Sequence, residues 1–231
     1  MTGLTEKAGG KETHGEGLIA KAQEAWQESM VRRLDELRQE LRTRDLFIVA
    51  ANSDGCVEGD AILLTYWGQS VALSWPALEA FSPTEGPPCS TFDTAMLLYY
   101  LHTADGSPLA DRWIGFRELP DGGFYHQAFQ GYSGNQIAKV FGETPEAFAF
   151  AAKAMGGQPL PALAPHAYFF HPLSRIRLAA TLWPGDDEFP AQASVLFDAS
   201  SGHYLPIDGL ALLGSGLARR LIKASSPPPQ P

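Results

Sequence analysis

Apolar residues in the first part of the chain recur at three- and four-residue steps, which is the spacing of one face of an α-helix. The stripe comprises Leu18, Ala22, Trp26, Met30, Leu34, Leu37 and Leu41. Arg and Glu side chains between Arg32 and Glu40 fill the opposite face. The stripe either docks on the body of the protein or pairs with a second copy. Docking is favoured, because a helix at the edge of a mixed domain normally covers a sheet.

Three short apolar runs follow, and each has the length and the turn boundaries of a β-strand. They cover residues 46–50, 61–67 and 71–75. No segment of helical length separates them, so the pattern favours an antiparallel meander over βαβ units.

A second helix is predicted from Ser90 to about Thr103. Ser90 suits the N-cap position, Asp93 stands three residues later as in a capping box, and Asp105-Gly106 ends the helix. The segment is apolar on most of its sides, so we expect a central, buried helix.

The remaining patterns predict a hairpin, two helices, three strands and a last helix. The hairpin spans 113–119 and 124–129, the helices 136–141 and 145–155, the strands 167–170, 175–183 and 193–198, and the last helix 208–223. The expected fold class is therefore α+β, with a mainly antiparallel sheet, a buried central helix and packed N- and C-terminal helices. We expect one domain over residues 18–223, flanked by disordered tails at 1–17 and 224–231.

Charge and cysteine content exclude several classes of partner and site. A formal net charge of −9 disfavours binding to nucleic acids and to anionic membranes. The N-terminus has no apolar core of a signal peptide, and no apolar run reaches the ~18 residues of a membrane span, so a cytoplasmic location is expected. Cys56 and Cys89 supply no zinc or iron–sulfur ligand set, and whether they pair stays open.

Three clusters of chemically active residues stand out, and each has a structural alternative. In the first, Asp186, Asp187 and Glu188 lie between Trp183 and Phe189. Clustered carboxylates suit a metal ion or a cationic ligand. The favoured alternative is a solvated turn between two strands, since hairpin turns select Gly and Asp for backbone reasons.

The second cluster contains Trp113, Arg117, Tyr125 and His126. Aromatic side chains with an Arg and a His could line a pocket for a planar or anionic ligand. The favoured alternative is an ordinary hairpin with one covered face.

The third cluster is Asp198 with His203 and Tyr204. Asp198 and His203 could form a metal pair or an acid–base dyad. The favoured alternative is turn chemistry, in which an Asp side chain binds its own backbone.

Several long strings of the sequence resemble a family of uncharacterised proteins, the domain-of-unknown-function family 3786. They are residues 101–109, 113–120, 183–191, 196–200 and 203–206, and the resemblance extends over about residues 18–222. It implies a bacterial or archaeal protein, often from an anaerobe. Some members carry a cysteine-rich iron–sulfur segment, and some are linked to corrinoid or one-carbon metabolism. With two cysteines this chain departs from the cluster-bearing members, and the family supplies no catalytic residues.

The leading hypothesis is an accessory protein that binds a small ligand or cofactor, whose identity the sequence leaves open. The predicted pocket is lined by Trp113, Arg117, Tyr125, His126, Trp183 and Glu188, with Arg117 holding an anionic group through two parallel hydrogen bonds. One alternative is a metal-assisted or acid–base enzyme that uses Glu188, Asp187, His126 or His203, with Asp186 and Asp198 as further metal candidates. Another is a protein–protein adaptor that uses the long helix. The oligomeric state stays open.

Overall fold

The computed structural model describes residues 28–29, 31–84 and 89–225. The helices within these residues are α1 (Leu34–Arg42), α2 (Leu46–Asn52), α3 (Thr91–Thr103), α4 (His126–Tyr132), α5 (Gly134–Phe141), α6 (Pro145–Ala154) and α7 (Ile207–Ser225). The strands are β1 (Cys56–Glu58), β2 (Ala61–Tyr66), β3 (Gln69–Ser74), β4 (Ala80–Phe81), β5 (Trp113–Gly115), β6 (Gln158–Pro159), β7 (His166–Leu173), β8 (Ile176–Trp183) and β9 (Gln192–Asp198). The predicted α+β class is confirmed.

All nine strands join one sheet in which the paired neighbours run antiparallel. The order is β4-β3-β2-β7-β8-β9-β5, with β1 paired to β2 and β6 paired to β7. Strands β1 to β4 form one half and β5 to β9 the other. The halves meet at one residue pair, Tyr66 with Leu173, and the N–H of Trp67 also donates to the carbonyl of Pro172 at 2.9 Å.

Helix α3 is central and buried, as the sequence predicts. The Ser90 hydroxyl accepts a hydrogen bond from the Asp93 N–H at 3.1 Å, and the Asp93 carboxylate accepts from the Ser90 N–H at 3.4 Å. This capping box fixes where the helix begins. Every residue from Thr94 to Leu101 is buried, so the middle of the helix belongs to the hydrophobic core, whereas residues 91–93 and 102–103 at its two ends retain exposure.

Helices α1 and α7 pack on the body, as expected for the two ends of the domain. Leu34, Leu37 and Leu41 are buried, and α1 lies against α3. The rest of the predicted stripe, at residues 18, 22, 26 and 30, lies outside the described residues, as do the predicted tail at 1–17 and residues 226–231. Residues 224 and 225, predicted to be tail, are the last turn of α7.

The prediction of a strand at residues 46–50 is wrong, because these residues form α2. The Asp45 carboxylate accepts hydrogen bonds from the N–H groups of Phe47 and Ile48, which is N-cap geometry. A short apolar run without clear periodicity does not separate a strand from a buried helix. The cap decides the outcome here.

The prediction of a hairpin between 113–119 and 124–129 is also wrong. Strand β5 stops at Gly115 and pairs with β9, and the predicted return strand is a 3₁₀ turn followed by α4. The backbone at Gly122 passes so close to Phe116 that a Cβ would stand 1.9 Å from the Phe116 carbonyl oxygen. Tight turns therefore replace the second strand, and Phe124 is left 90% exposed.

The described helices are each too short or too polar to cross a membrane.

Candidate functional site

A cavity of about 590 Å³ opens in the middle of the sheet, where β7 lacks a partner strand along part of one edge. Strand β6 pairs with Tyr168 and Phe169, and β2 pairs with Leu173, so the edge between them is uncovered. We call this cavity the seam pocket. It is lined by Thr65, Trp67, Gly68, Met155, Gly156, Phe170, His171, Arg220, Lys223 and Ala224.

Trp67 forms one wall of the seam pocket from a strained backbone position. Trp67 and Gly68 are the two loop residues between β2 and β3, with φ of +50° and +78°. Two positive φ values in a two-residue loop define a type I′ turn, which selects Asn, Asp or Gly at both places. A bulky residue there is an outlier that local preference does not explain.

Two cations from α7 reach the same pocket. The guanidinium of Arg220 stands 4.3 Å over the centre of the Trp67 ring. Lys223 follows three residues later, on the same side of the helix. Neither side chain has an ion-pair partner within residues 28–29, 31–84 and 89–225, whereas Arg175 and Arg177 do. Among the residues that the structure describes, the lining contains no carboxylate, although the chain has 26 acidic and 17 basic residues.

His171 contributes a neutral polar group to the seam pocket. Partial burial lowers the pKa of His171, and the positive charge of Arg177 lowers it further. The imidazole ring packs against Phe169 with ring centres 5.5 Å apart. At neutral pH this side chain therefore offers a hydrogen bond rather than a third charge.

A second, smaller cavity of about 170 Å³ lies at the other end of the sheet, where β9 continues past the end of β5. We call it the edge cavity. Its lining is Gly115, Phe116, Arg117, His126, Phe129, Gln130, Ser194, Val195 and Leu196. Arg117 and His126, which the sequence proposed together, do share this cavity.

The other four residues proposed for the same pocket lie elsewhere. Trp113 pairs with Asp198 and Trp183 pairs with Gln192, so the two indoles stand beside opposite ends of β9. Six residues of strand separate those ends by about 20 Å. The six proposed residues therefore do not line one pocket, because the hairpin that would have brought them together does not form.

Tyr125 and Glu188 are surface residues in this arrangement. Tyr125 is 47% exposed at the start of α4, and Glu188 is exposed in the turn between β8 and β9. Trp113 packs against Phe169 with ring centres 6.2 Å apart.

The acidic segment after β8 is organised as a turn. The Asp186 carboxylate accepts hydrogen bonds from the N–H groups of Glu188 at 2.9 Å and Phe189 at 2.7 Å. These bonds, first that from Phe189, hold the pKa of Asp186 below its usual value. Asp187 is exposed. Within the described part of the chain, no three His, Cys, Asp or Glu side chains are grouped closely enough to hold a metal ion.

Asp198 is buried and bound by its own loop. Its Oδ1 atom accepts from the N–H of Ala110 at 3.0 Å and from the N–H and hydroxyl of Ser200 at 2.9 and 2.6 Å. Burial would raise the pKa of Asp198, but the hydrogen bonds from Ser200 and the loop amides outweigh it and lower the pKa. The carboxylate therefore joins the 108–112 loop to the end of β9.

His203 pairs with Asp105 rather than with Asp198. The Nδ1 atom of His203 lies 2.7 Å from Asp105 Oδ2 and 3.2 Å from the hydroxyl of Ser107. The hydrogen bond to His203 is the main reason why the pKa of Asp105 falls to about 2. A catalytic triad needs the acid and the nucleophile on different ring nitrogens. Here both use Nδ1, so Ser107 is not activated by this histidine.

A comparison with family models identifies the family of this chain. The model described as "Domain of unknown function (DUF3786)" matches residues 45–220, about three quarters of the chain. The chain belongs to this family. The resemblance carried by the strings at 101–109, 113–120 and 183–191 is thereby confirmed. No curated protein and no solved structure matched the chain.

The DUF3786 match covers the whole lining of the edge cavity and most of the lining of the seam pocket. It includes Trp67, Arg117, His126 and Arg220, whereas Lys223 lies just beyond it. Sequence reasoning proposed Arg117 and His126 and missed Trp67 and Arg220. A Trp beside a Gly in a turn was the available signal for Trp67, whereas basic residues near the end of a helix such as α7 also suit the helix dipole and do not indicate a site.

Proposed function

We propose that this DUF3786 protein binds a small organic anion with an apolar, planar body in the seam pocket. The observation that carries the proposal is Trp67, which lines the cavity at positive φ with its indole ring against the guanidinium of Arg220, a second lining residue. A planar ligand would stack on the aromatic wall, and its acidic group would meet Arg220 and Lys223.

The backbone cost at Trp67 supports a role for its side chain. A left-handed conformation at a residue other than Gly costs on the order of 1 kcal/mol or more and persists where the surroundings demand it. Gly or Asn would form the same turn without that cost. The indole ring is therefore the part of this residue that the position requires.

The charges of the pocket support an anionic ligand. Cations near the end of a helix stabilise the helix by about 0.3–1 kcal/mol, which is a sufficient reason for basic residues in α7. That effect does not account for the stacking of Arg220 on Trp67 or for a lining without carboxylates. In a chain of net charge −9, two cations beside an apolar cavity, neither of them ion-paired to a described residue, favour an acid as the ligand.

The size and chemistry of the pocket support binding rather than catalysis. About 590 Å³ lies within the range of small-molecule pockets, roughly 300–1,000 Å³. As the structure describes it, the lining holds His171 but no carboxylate or thiol to pair with it. The metabolic link to corrinoids and iron–sulfur proteins, implied by the family resemblance, stays a hypothesis about the setting in which the ligand occurs.

The test uses two fluorescent probes with the same kind of aromatic body. One is 8-anilinonaphthalene-1-sulfonate, an anion, and the other is N-phenyl-1-naphthylamine, which is neutral. We expect Arg220→Gln and Lys223→Gln each to weaken binding of the sulfonate by about tenfold, since a charged contact contributes about 1.5–3 kcal/mol. Binding of the neutral probe should change much less.

The matched control is Arg38→Gln, which removes an Arg from the surface of α1 that pairs with Asp35. It should leave both affinities unchanged. Charge in the seam pocket would not select the ligand if Arg220→Gln lost as much affinity for the neutral probe as for the sulfonate. The same conclusion would follow if Arg38→Gln lost as much affinity for the sulfonate as Arg220→Gln does. Thermal unfolding of each variant establishes that it is folded.

A further inference from the structure

We infer that the edge cavity is a second, independent binding site, for a small oxyacid that presents an oxyanion beside a hydroxyl group. Arg117 would bind the oxyanion and His126 would accept the hydroxyl proton in a hydrogen bond. This inference does not rest on the seam pocket, because the two cavities share no lining residue.

The orientation of His126 is fixed by one hydrogen bond. Its Nδ1 atom lies 2.9 Å from the carbonyl oxygen of Gly123. A carbonyl oxygen only accepts, so Nδ1 carries the proton, and in the neutral ring Nε2 keeps a lone pair. The side chain is therefore set to accept a hydrogen bond from a ligand through Nε2.

Arg117 lines the same cavity as this acceptor. Within the described residues it makes no ion pair and no hydrogen bond, whereas the carboxylate of its neighbour Glu118 is bound to the N–H of Gly115 at 2.8 Å. A guanidinium can hold an oxyanion through two parallel N–H bonds. A free guanidinium next to an oriented imidazole is the chemistry that recognises a hydroxy acid.

The open edge of β9 adds a backbone donor to the same cavity. The N–H of Ala199 donates to Arg112, and the carbonyl of Ala193 accepts from the Gln130 amide at 2.8 Å, so both peptide groups point to the β5 side. By the two-residue period of a strand, the N–H of Val195 points the same way. Val195 lies in the cavity lining, beyond the last residue of β5.

The dimensions of the cavity limit the ligand to a small molecule. About 170 Å³ is well below the roughly 300 Å³ at which drug-sized pockets begin. Phe116 and Phe129 form its base as a stacked pair, with ring centres 4.2 Å apart and planes 14° from parallel. A nucleotide or a fused ring system does not fit on this base.

The test compares glycolate, which has a hydroxyl group beside its carboxylate, with acetate, which lacks it. Both are titrated into the ¹⁵N-labelled full chain while the amide of Val195 and the ring nitrogens of His126 are followed by NMR. We expect glycolate to shift both sets of signals and to bind about tenfold more tightly than acetate, because acetate leaves Nε2 without its donor.

Two variants separate the roles of the two side chains. Arg117→Gln should lower the affinity for both acids by about tenfold. His126→Phe should remove the preference for glycolate while acetate binding is retained. Arg38→Gln on α1 is the control and should change neither affinity. The inference is overturned if glycolate and acetate bind equally to the unmodified protein, if neither shifts Val195, or if His126→Phe keeps the preference.

Discussion

The guanidinium of Arg220 lies 4.3 Å above the indole of Trp67, whose backbone has a φ of +50°. One residue from the last helix thus covers a side chain presented by the turn between β2 and β3. The two belong to different halves of the sequence, and both line the seam pocket. The unfavourable backbone conformation at Trp67 and the positive charge of Arg220 therefore belong to the same cavity.

The strain at Trp67 can be measured with two substitutions. Trp67→Ala and Trp67→Gly both remove the indole, but Ala keeps the unfavourable left-handed conformation and Gly does not. We expect Trp67→Gly to be more stable than Trp67→Ala by about 1 kcal/mol in urea unfolding. Both should lose most of their affinity for the naphthalene sulfonate. Equal stability of the two variants would argue against a positive φ at this position.

The close approach of α5 to the edge of β9 predicts a large effect of one methyl group. A Cβ at Gly134 would stand 2.2 Å from the carbonyl oxygen of Ala193 and 2.5 Å from the Gln130 amide nitrogen. Gly134→Ala should therefore lower the free energy of unfolding by about 2 kcal/mol. Gly123→Ala is the control, since a Cβ there meets nothing within 4 Å. If Gly134→Ala left the free energy of unfolding unchanged, α5 would not be packed against this edge of β9.

The carboxylate of Asp198 predicts a dependence of stability on pH. Its pKa is lower in the folded protein than the usual value of about 3.9. A group of this kind stabilises the fold above its usual pKa, and the contribution is lost as the pH falls through the folded value. Unfolding in urea at pH 7 and pH 3 should show a smaller acid-dependent loss in Asp198→Asn than in the unmodified protein.

At neutral pH the same variant should be less stable by about 2 kcal/mol, because donors in the 108–112 loop and at Ser200 lose a charged acceptor. Asp105→Asn is the comparison, since Asp105 is half exposed and pairs with His203 at the surface. Asp105→Asn should lower the free energy of unfolding by much less than Asp198→Asn does. A parallel pH profile for Asp198→Asn and the unmodified protein would contradict the role given to Asp198.

The turn after β8 predicts different outcomes for adjacent carboxylates. Asp186→Ala removes the acceptor of two backbone N–H groups and should lower the midpoint of thermal unfolding. Asp187→Ala should leave the midpoint unchanged, because this side chain is exposed. Calcium and zinc should shift neither midpoint. A metal-dependent rise that Asp187→Ala abolishes would restore the metal hypothesis for this segment.

Elements with strong local signals were predicted correctly from the sequence. Helix α3 has a Ser90–Asp93 capping box and ends before Gly106, and these signals lie within the segment itself. Strands β8 and β9 likewise have apolar runs of strand length with a turn between them. Two segments differ from the sequence prediction: the run at 46–50 is a helix capped by Asp45, and the segment after Gly122 turns away from β5.

The candidate sites also contain some residues that the sequence predicted and others that it did not. Arg117 and His126 are near each other in the sequence, and their shared cavity could be proposed from that spacing, although the residues around them were wrong. Trp67 and Arg220 meet because of the sheet order and the packing of α7, neither of which periodicity reveals. A positive φ at Trp67 is likewise invisible in the sequence, since Trp is not a residue that marks such turns.

The single pairing of Tyr66 with Leu173 has a consequence for the order of folding. Pairings within β1 to β4 and within β7 to β9 join neighbours in sequence and close short loops, so they form early. The junction between the halves closes a long loop and is expected to form late, and the seam pocket forms with it. A ligand held there would bridge two early-folding units. Its stabilisation should therefore appear as slower unfolding, with the folding rate little changed.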